Sequence, residues 1–154
     1  MAFPASTWFG DALVDALQNT IALNLDSDSI KVALYTNSVD GSSTFDKNTD
    51  QGTYNSGLWV TGNEVSSAGY TAGGQALTNP GVSASGGKLI FADSASTLAW
   101  SGVTFTARGG LVYDDTLSPK RGVVAINFGA DVPVSAGTFT ITWDATNKIS
   151  YITY

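Results

Sequence analysis

Carboxylates and hydroxyls must carry any chemistry in this sequence, because its 154 residues include neither histidine nor cysteine. Histidine is the commonest general base and metal ligand, and cysteine supplies disulfides, nucleophiles and thiolate metal sites. Glu64 is the only glutamate. Ser85 lacks the full Gly-x-Ser-x-Gly pattern of a nucleophile elbow, and no phosphate-binding glycine loop is present. We therefore expect a protein that is not an enzyme and that carries no cofactor.

One acidic stretch has the alternation of a calcium loop. Asp46, Asn48 and Asp50 place oxygen ligands at every second position. Gly52, however, falls one residue late, and Gly57 stands where a bidentate glutamate is needed. A solvated loop is the favoured interpretation, and a weak calcium site is the alternative.

A second acidic feature is the adjacent pair Asp114 and Asp115, which follows a predicted strand. Paired carboxylates can bind a cation or act as acid and base. Because no second carboxylate pair accompanies them, a polar turn is the favoured interpretation.

The charge and hydropathy of the sequence disfavour nucleic acid and membranes as partners. The net charge is −6, and only 13% of the residues are charged, against about 25% in an ordinary globular protein. The lysines and arginines are scattered, with only Lys120 and Arg121 adjacent, so no basic face for nucleic acid is expected. No apolar run approaches the roughly 18 residues of a membrane span. The start of the chain lacks a secretory signal pattern, so we expect synthesis in the cytoplasm.

The elements that must position these residues are mostly strands. Phe9, Leu13, Leu17 and Ile21 recur every four residues and predict a helix near residues 7–20, with Ser6 or Thr7 as its N-cap. After it the apolar period is two, and the sequence predicts strands at residues 30–36, 88–91, 103–107, 111–113, 122–128, 138–143 and 149–154.

Turn residues organise these strands. Asp40-Gly41 predicts a hairpin turn after the first strand, and Gly109-Gly110 predicts a bulge. The last two strands predict a C-terminal hairpin, whereas residues 42–80 contain only short pieces at 58–60 and 75–77. We expect a mainly β protein: a single antiparallel β-sandwich or jelly-roll-like domain over residues 26–154. Residues 1–25 form an N-terminal arm and helix that belong to this domain or dock elsewhere.

Aromatic and leucine side chains near the N-terminus are more numerous than one short helix needs. Such residues usually lie in a core, but an exposed tryptophan is a typical interface anchor. The candidate protein-contact residues are Phe3, Trp8, Phe9, Leu13, Leu17, Tyr54 and Trp59.

An ordered series of motifs follows: residues 69–79 (GYTAGGQALTN), 100–109 (WSGVTFTARG), 111–116 (LVYDDT), 125–129 (AINFG) and 137–143 (GTFTITW). This series resembles a family of tailed-bacteriophage virion structural proteins, described as head-decoration or tail-associated. The resemblance spans about residues 30–145 and implies a structural rather than an enzymatic role. Its motif residues are either contact residues or fold determinants, and the fold interpretation is favoured: Gly69, Tyr70, Gly73, Gly74, Thr106, Ala107 and Arg108.

The leading hypothesis is a capsid decoration protein, located in the virion, that forms a homo-oligomer and binds the major capsid protein without contacting nucleic acid or membrane. A variant makes it a neck, tail or baseplate adaptor. The alternative from another class is a carbohydrate-binding or adhesin module, with Trp59, Tyr54 and the loop of Asp46 and Asp50 as its site.

Overall fold

The computed structural model describes residues 6–41, 52–144 and 148–153. It confirms the predicted fold class, because these residues are mainly β-strand, paired antiparallel, with one α-helix near the N-terminus. In chain order the elements are β1 (Thr7–Trp8), α1 (Gly10–Gln18), β2 (Ile30–Tyr35), β3 (Gln75–Ala76), β4 (Gly81–Ser85), β5 (Lys88–Ala92), β6 (Thr97–Asp114), β7 (Gly122–Thr142) and β8 (Ser150–Thr153), with 3-10 helices at Asn37–Gly41, Gly57–Trp59 and Thr61–Asn63.

Two sheets form a β-sandwich-like domain. The larger has the order β1-β7-β6-β2-β3, and the smaller has the order β4-β5-β8. Strands β6 and β7, which are 18 and 21 residues long, form an antiparallel hairpin in the interior of the large sheet. The register of β6 shifts between Ala107 and Gly109, at the predicted glycine bulge. The sequences 103–107 and 111–113 therefore belong to one bent strand, since a bulge re-aims a strand without ending it.

The centre of the large sheet is buried on both faces. Val32 and Val112 lie on the face that packs against Phe91 of the small sheet. Tyr35 and Leu111 lie in the core on the other face. Each such side chain stabilises the fold by roughly 1.5–3 kcal/mol on burial, before conformational entropy is subtracted. The central position predicted for the first strand follows from this double burial.

The helix is shorter than predicted and begins later. Thr7 and Trp8 pair with β7 as strand β1, so neither Ser6 nor Thr7 caps the helix. Its N-cap is Phe9, which makes no side-chain capping bond. The last turn ends at Asn19, whose positive φ of 54° closes the helix. An ion pair between the buried Arg121, just before β7, and the half-buried Asp15 holds α1 on its own domain.

Two predicted hairpins are wrong. The C-terminal strand β8 pairs with β5, at Leu89↔Ile152, and not with residues 138–143. The antiparallel bridge between Asp144 and Lys148 marks where the chain leaves the large sheet. After β2 the chain enters the 3-10 helix Asn37–Gly41 and makes no hairpin at Asp40-Gly41, because the neighbours of β2 are β6 and β3. Alternation identifies a strand and its buried face, but it does not identify the partner strand.

Candidate functional site

An apolar groove of about 690 Å³ lies between helix α1 and the small sheet. We call it the apolar groove. Its walls come from β1 and α1, from the loop that follows the helix, and from the three strands of the small sheet: Trp8, Leu13, Ala16, Leu17, Leu23, Leu25, Val82, Leu89 and Ile152, with Asn24 and Asp26 at the polar edge.

The small sheet leaves one apolar face only partly covered. Val82 is opposite Phe91, and Leu89 is opposite Ile152, so the four side chains share one face. Phe91 is buried and contacts Trp8 with ring centroids 5.7 Å apart. Val82, on the edge strand β4, is 43% exposed. This uncovered part of the face forms one wall of the groove.

The opposite wall is the outer side of α1. Ala12 faces the core and is buried, whereas Leu17 is 87% exposed and Val14 is 46% exposed. Leu17 lines the groove, and Val14 lies on the same helix outside the lining. A patch of exposed large apolar side chains beside an apolar cleft is typical of a contact surface.

The groove is electrostatically one-sided. Among the described residues of its lining, Asp26 is the only ionisable one, and none is a lysine or arginine. The last turn of α1, at the level of Leu17, contains no basic residue. The carbonyl end of the helix dipole is therefore not compensated by a cation from that turn. The groove combines apolar walls with a weakly negative rim.

The structure brings together three of the predicted contact residues, Trp8, Leu13 and Leu17. Phe9 and Trp59 are corrections: each is 1% exposed and packs in the core of its own chain, so neither offers a surface to a partner. Phe3 lies outside the described residues.

Tyr54, the remaining contact candidate, stacks on Tyr113 with ring centroids 4.5 Å apart and donates a hydrogen bond to Glu64 at 3.1 Å. The ammonium group of Lys120 lies 5.5 Å from the Tyr54 ring centroid. These contacts place Tyr54 within the fold, away from the groove.

Most of the lining was not predicted: Ala16, Leu23, Leu25, Val82, Leu89 and Ile152. The sequence predicts strands at residues 88–91 and 149–154 but none at 81–85. Nothing in the sequence pattern reveals that the apolar face of the small sheet stays partly uncovered.

Residues of the motif at 69–79 bind a buried carboxylate, that of Glu64. Glu64, only 6% exposed, accepts hydrogen bonds from the Tyr70 hydroxyl at 2.6 Å and from the Gly73 N–H at 2.7 Å. Burial, followed by the hydrogen bond to Glu64, raises the pKa of Tyr70. Gly69 and Gly74 lie so close to the backbone of β6 and β2 that a side chain would overlap it. These contacts agree with the interpretation of the motif as a fold determinant.

The motif residues Thr106, Ala107 and Arg108 lie in β6 next to its bulge. Ala107 is fully buried, whereas Thr106 is exposed. The Arg108 side chain is largely buried, and its Nε lies 4.0 Å from Oδ1 of the exposed Asp131. An ion pair of this length with an exposed partner contributes little to stability. The three residues lie outside the groove.

Some acidic candidates lie outside the described residues, and the others have structural contacts. Asp46, Asn48 and Asp50 lie outside the described residues. Within the described ranges, no group of three or more histidine, cysteine or acidic side chains could hold a metal ion. Asp115 forms ion pairs with Lys31 at 2.6 Å and Lys120 at 2.5 Å. Although burial acts to raise its pKa, these two lysines lower it overall.

Asp114 has a different environment. It is fully buried, and its Oδ1 accepts hydrogen bonds from the N–H groups of Thr116 and Leu117. Its Oδ2 has no donor among the described residues, and the carboxyl group of Asp28 lies within hydrogen-bonding contact. Burial and the neighbouring Asp28 together raise the pKa of Asp114 to about 6. Asp114 thus ends β6 and holds the backbone that follows it, whereas Asp115 forms the ion-pair cluster.

We expect Asp114→Asn to stabilise the protein above pH 6. The folded carboxyl binds its proton more tightly than the unfolded one, so the free energy of unfolding falls as pH rises from about 4 to 6 and stays low above that. Asparagine keeps the acceptor for Thr116 and donates to Asp28, and the expected gain at pH 7.5 is about 2 kcal/mol. Urea denaturation at pH 4.5 and 7.5 measures it, with Asp131→Asn as a control at an exposed aspartate. An unchanged pH dependence in Asp114→Asn would contradict the prediction.

No family model, curated protein or solved structure matches this chain. The part of the chain that the structure describes contains no helix long and apolar enough to cross a membrane. Function must therefore be inferred from the residues and their geometry.

Proposed function

We propose that this chain is a non-enzymatic bacteriophage virion structural protein, a capsid decoration protein that stabilises the shell through protein–protein contacts. The observation that carries the protein-contact role is the open apolar groove with Leu17 87% exposed. The ordered motifs that resemble virion structural proteins supply the virion context. Placement at the neck, tail or baseplate is the close alternative.

Removing the exposed apolar side chains of the groove from water would stabilise an assembly. Apolar surface buried on association contributes roughly 25 cal/mol per Å², before the costs of ordering the two partners are subtracted. Leu17 and Val82 remain wetted in the isolated chain although they stand beside an apolar cleft. Covering them stabilises an assembly without any change in the fold of the domain.

Three of the four buried charged side chains among the described residues, those of Glu64, Asp93 and Arg121, form hydrogen bonds or ion pairs within the fold. Glu64 binds tyrosine hydroxyls, and Arg121 pairs with Asp15. Asp93 accepts hydrogen bonds from the Thr78 N–H at 2.8 Å and from the Trp143 indole at 3.3 Å. These contacts favour a binding role over catalysis, which requires an acid, base or nucleophile that can reach a substrate.

The two aromatic residues predicted to bind a carbohydrate, Trp59 and Tyr54, pack against other aromatic rings of the chain. Trp59 is buried against Phe9 and Tyr35, with ring centroids 6.0 Å and 5.0 Å away. Tyr54 has one face stacked on Tyr113. A sugar stacks on an exposed aromatic face, so neither residue favours that function.

Quantitative mass spectrometry of purified phage particles tests the proposal. A decoration protein is expected on the order of hundreds of copies per particle, because it repeats with the symmetry of the shell, whereas about six or twelve copies would indicate a neck or tail ring. A non-structural host or phage enzyme from the same lysate serves as the control for contamination. Absence of the chain from particles would overturn the virion role.

A further inference from the structure

We propose that the apolar groove binds a short segment of a different protein in the particle, one whose apolar side chains are flanked by at least one lysine or arginine. This inference rests on the proposed function and specifies the chemistry of the partner. The proposed occupant is a basic apolar segment, and the experiment below distinguishes it from an acidic or neutral apolar segment and from a second copy of this chain.

The size of the groove favours a segment over a broad surface. A stable interface between two folded proteins buries roughly 800 Å² on each partner, much of it flat. A cleft of about 690 Å³ instead falls in the range of about 300–1,000 Å³ that encloses a compact ligand. Its occupant is therefore a few side chains projecting from one turn of helix or one short extended stretch, with Leu17 and Val82 closing over them.

Charge selects the class of segment. In the part of the chain that the structure describes, the rim contains Asp26 and no cation, and the carbonyl end of α1 adds partial negative charge near Leu17. The whole chain carries a net charge of −6. A segment with a lysine or arginine beside its apolar residues gains from both charges, whereas an acidic segment is repelled.

The same argument disfavours a second copy in the groove. Of the seven lysines and arginines, Lys47 lies outside the described residues, and five of the other six already have a partner in their own chain. Lys31 and Lys120 pair with Asp115, Arg121 pairs with Asp15, Arg108 lies near Asp131, and Lys88 lies 4.2 Å from the Tyr151 ring centroid. Two copies would also bring together net charges of −6 each.

Fluorescence anisotropy with labelled synthetic peptides tests the proposal. One peptide is an amphipathic leucine-lysine sequence, and the other is identical except that glutamate replaces lysine. We expect the lysine peptide to bind the wild-type protein at least about tenfold more tightly than the glutamate peptide. Raising the ionic strength to about 0.5 M should reduce this preference, because the charges concerned are at the surface.

Matched variants locate the binding. Leu17→Gln is expected to weaken binding of the lysine peptide at least about fivefold, because it puts a polar group in the groove wall. Val14→Gln, on the same helix but outside the lining, should leave binding within about twofold of wild type. Asp26→Lys should reduce or reverse the preference between the two peptides. All three side chains are exposed, and circular dichroism verifies that each variant is folded.

Several outcomes would overturn the inference. They are no binding of the lysine peptide at about 1 mM protein, equal binding of both peptides, or equal loss in Leu17→Gln and Val14→Gln. A concentration-dependent dimer that Leu17→Gln abolishes would assign the groove to a second copy. The proposed function is tested separately, because the copy number of the wild-type chain in particles does not depend on how peptides bind.

Discussion

Gly74→Ala is expected to leave little folded protein. Gly74 has φ +71°, and a Cβ there would lie 1.7 Å from the carbonyl oxygen of Val32 and 2.8 Å from Cα of Ala33. The obstacle is the backbone of β2, which is hydrogen-bonded to β6 and buried on both faces, so it cannot move aside. The expected loss exceeds about 4 kcal/mol, a large share of the 5–15 kcal/mol that stabilises a typical domain.

Gly86→Ala is the matched control for this variant. Gly86 lies in the turn between β4 and β5 with φ +57°, and nothing lies within 4 Å of the position of its Cβ. It therefore carries the strain of the left-handed backbone without the collision, at about 1–2 kcal/mol. Thermal and urea denaturation compare the two variants. Equal, small losses for both would show that the contact between residue 74 and β2 is not rigid.

The second large effect is expected at Glu64. Glu64→Leu introduces an apolar side chain of similar volume and removes the acceptor for the Tyr70 hydroxyl and the Gly73 N–H. Both donors lie inside the fold, where an unsatisfied polar group costs about 1–3 kcal/mol, and more where the lost acceptor was charged. The free energy of unfolding should fall by about 4 kcal/mol, measured by urea denaturation.

Glu64→Gln keeps the size and the hydrogen-bonding oxygen of the side chain and removes only its charge. Its amide oxygen can still accept from Tyr70 and Gly73, and its amide nitrogen can donate to the half-buried Tyr54 hydroxyl. The expected loss is about 1 kcal/mol, because only the charge assistance of these bonds disappears. If leucine and glutamine at this position destabilise the protein equally, the stabilising element is the charge rather than the set of acceptors.

Much of the fold could be predicted from local pattern. Alternation at residues 138–143 places Phe139, Ile141 and Trp143 on a buried face, as the structure shows. The double burial of β2 and the bulge near Gly109 also follow from the sequence. These features depend on residues close together in the chain. The partner of β8 does not, because its alternation fits either β5 or β7, and the choice depends on which apolar face is covered elsewhere in the fold.

The candidate site was half predictable. The sequence singled out Trp8, Leu13 and Leu17, but it also singled out Phe9 and Trp59, which are core residues. Composition alone determined that the chain has no histidine or cysteine chemistry. Only the tertiary structure decided which apolar side chains stay wetted: of the neighbours Trp8 and Phe9, Trp8 lines the groove and Phe9 is buried in the core. Exposure is a property of what packs above a residue, and that neighbour comes from a distant part of the chain.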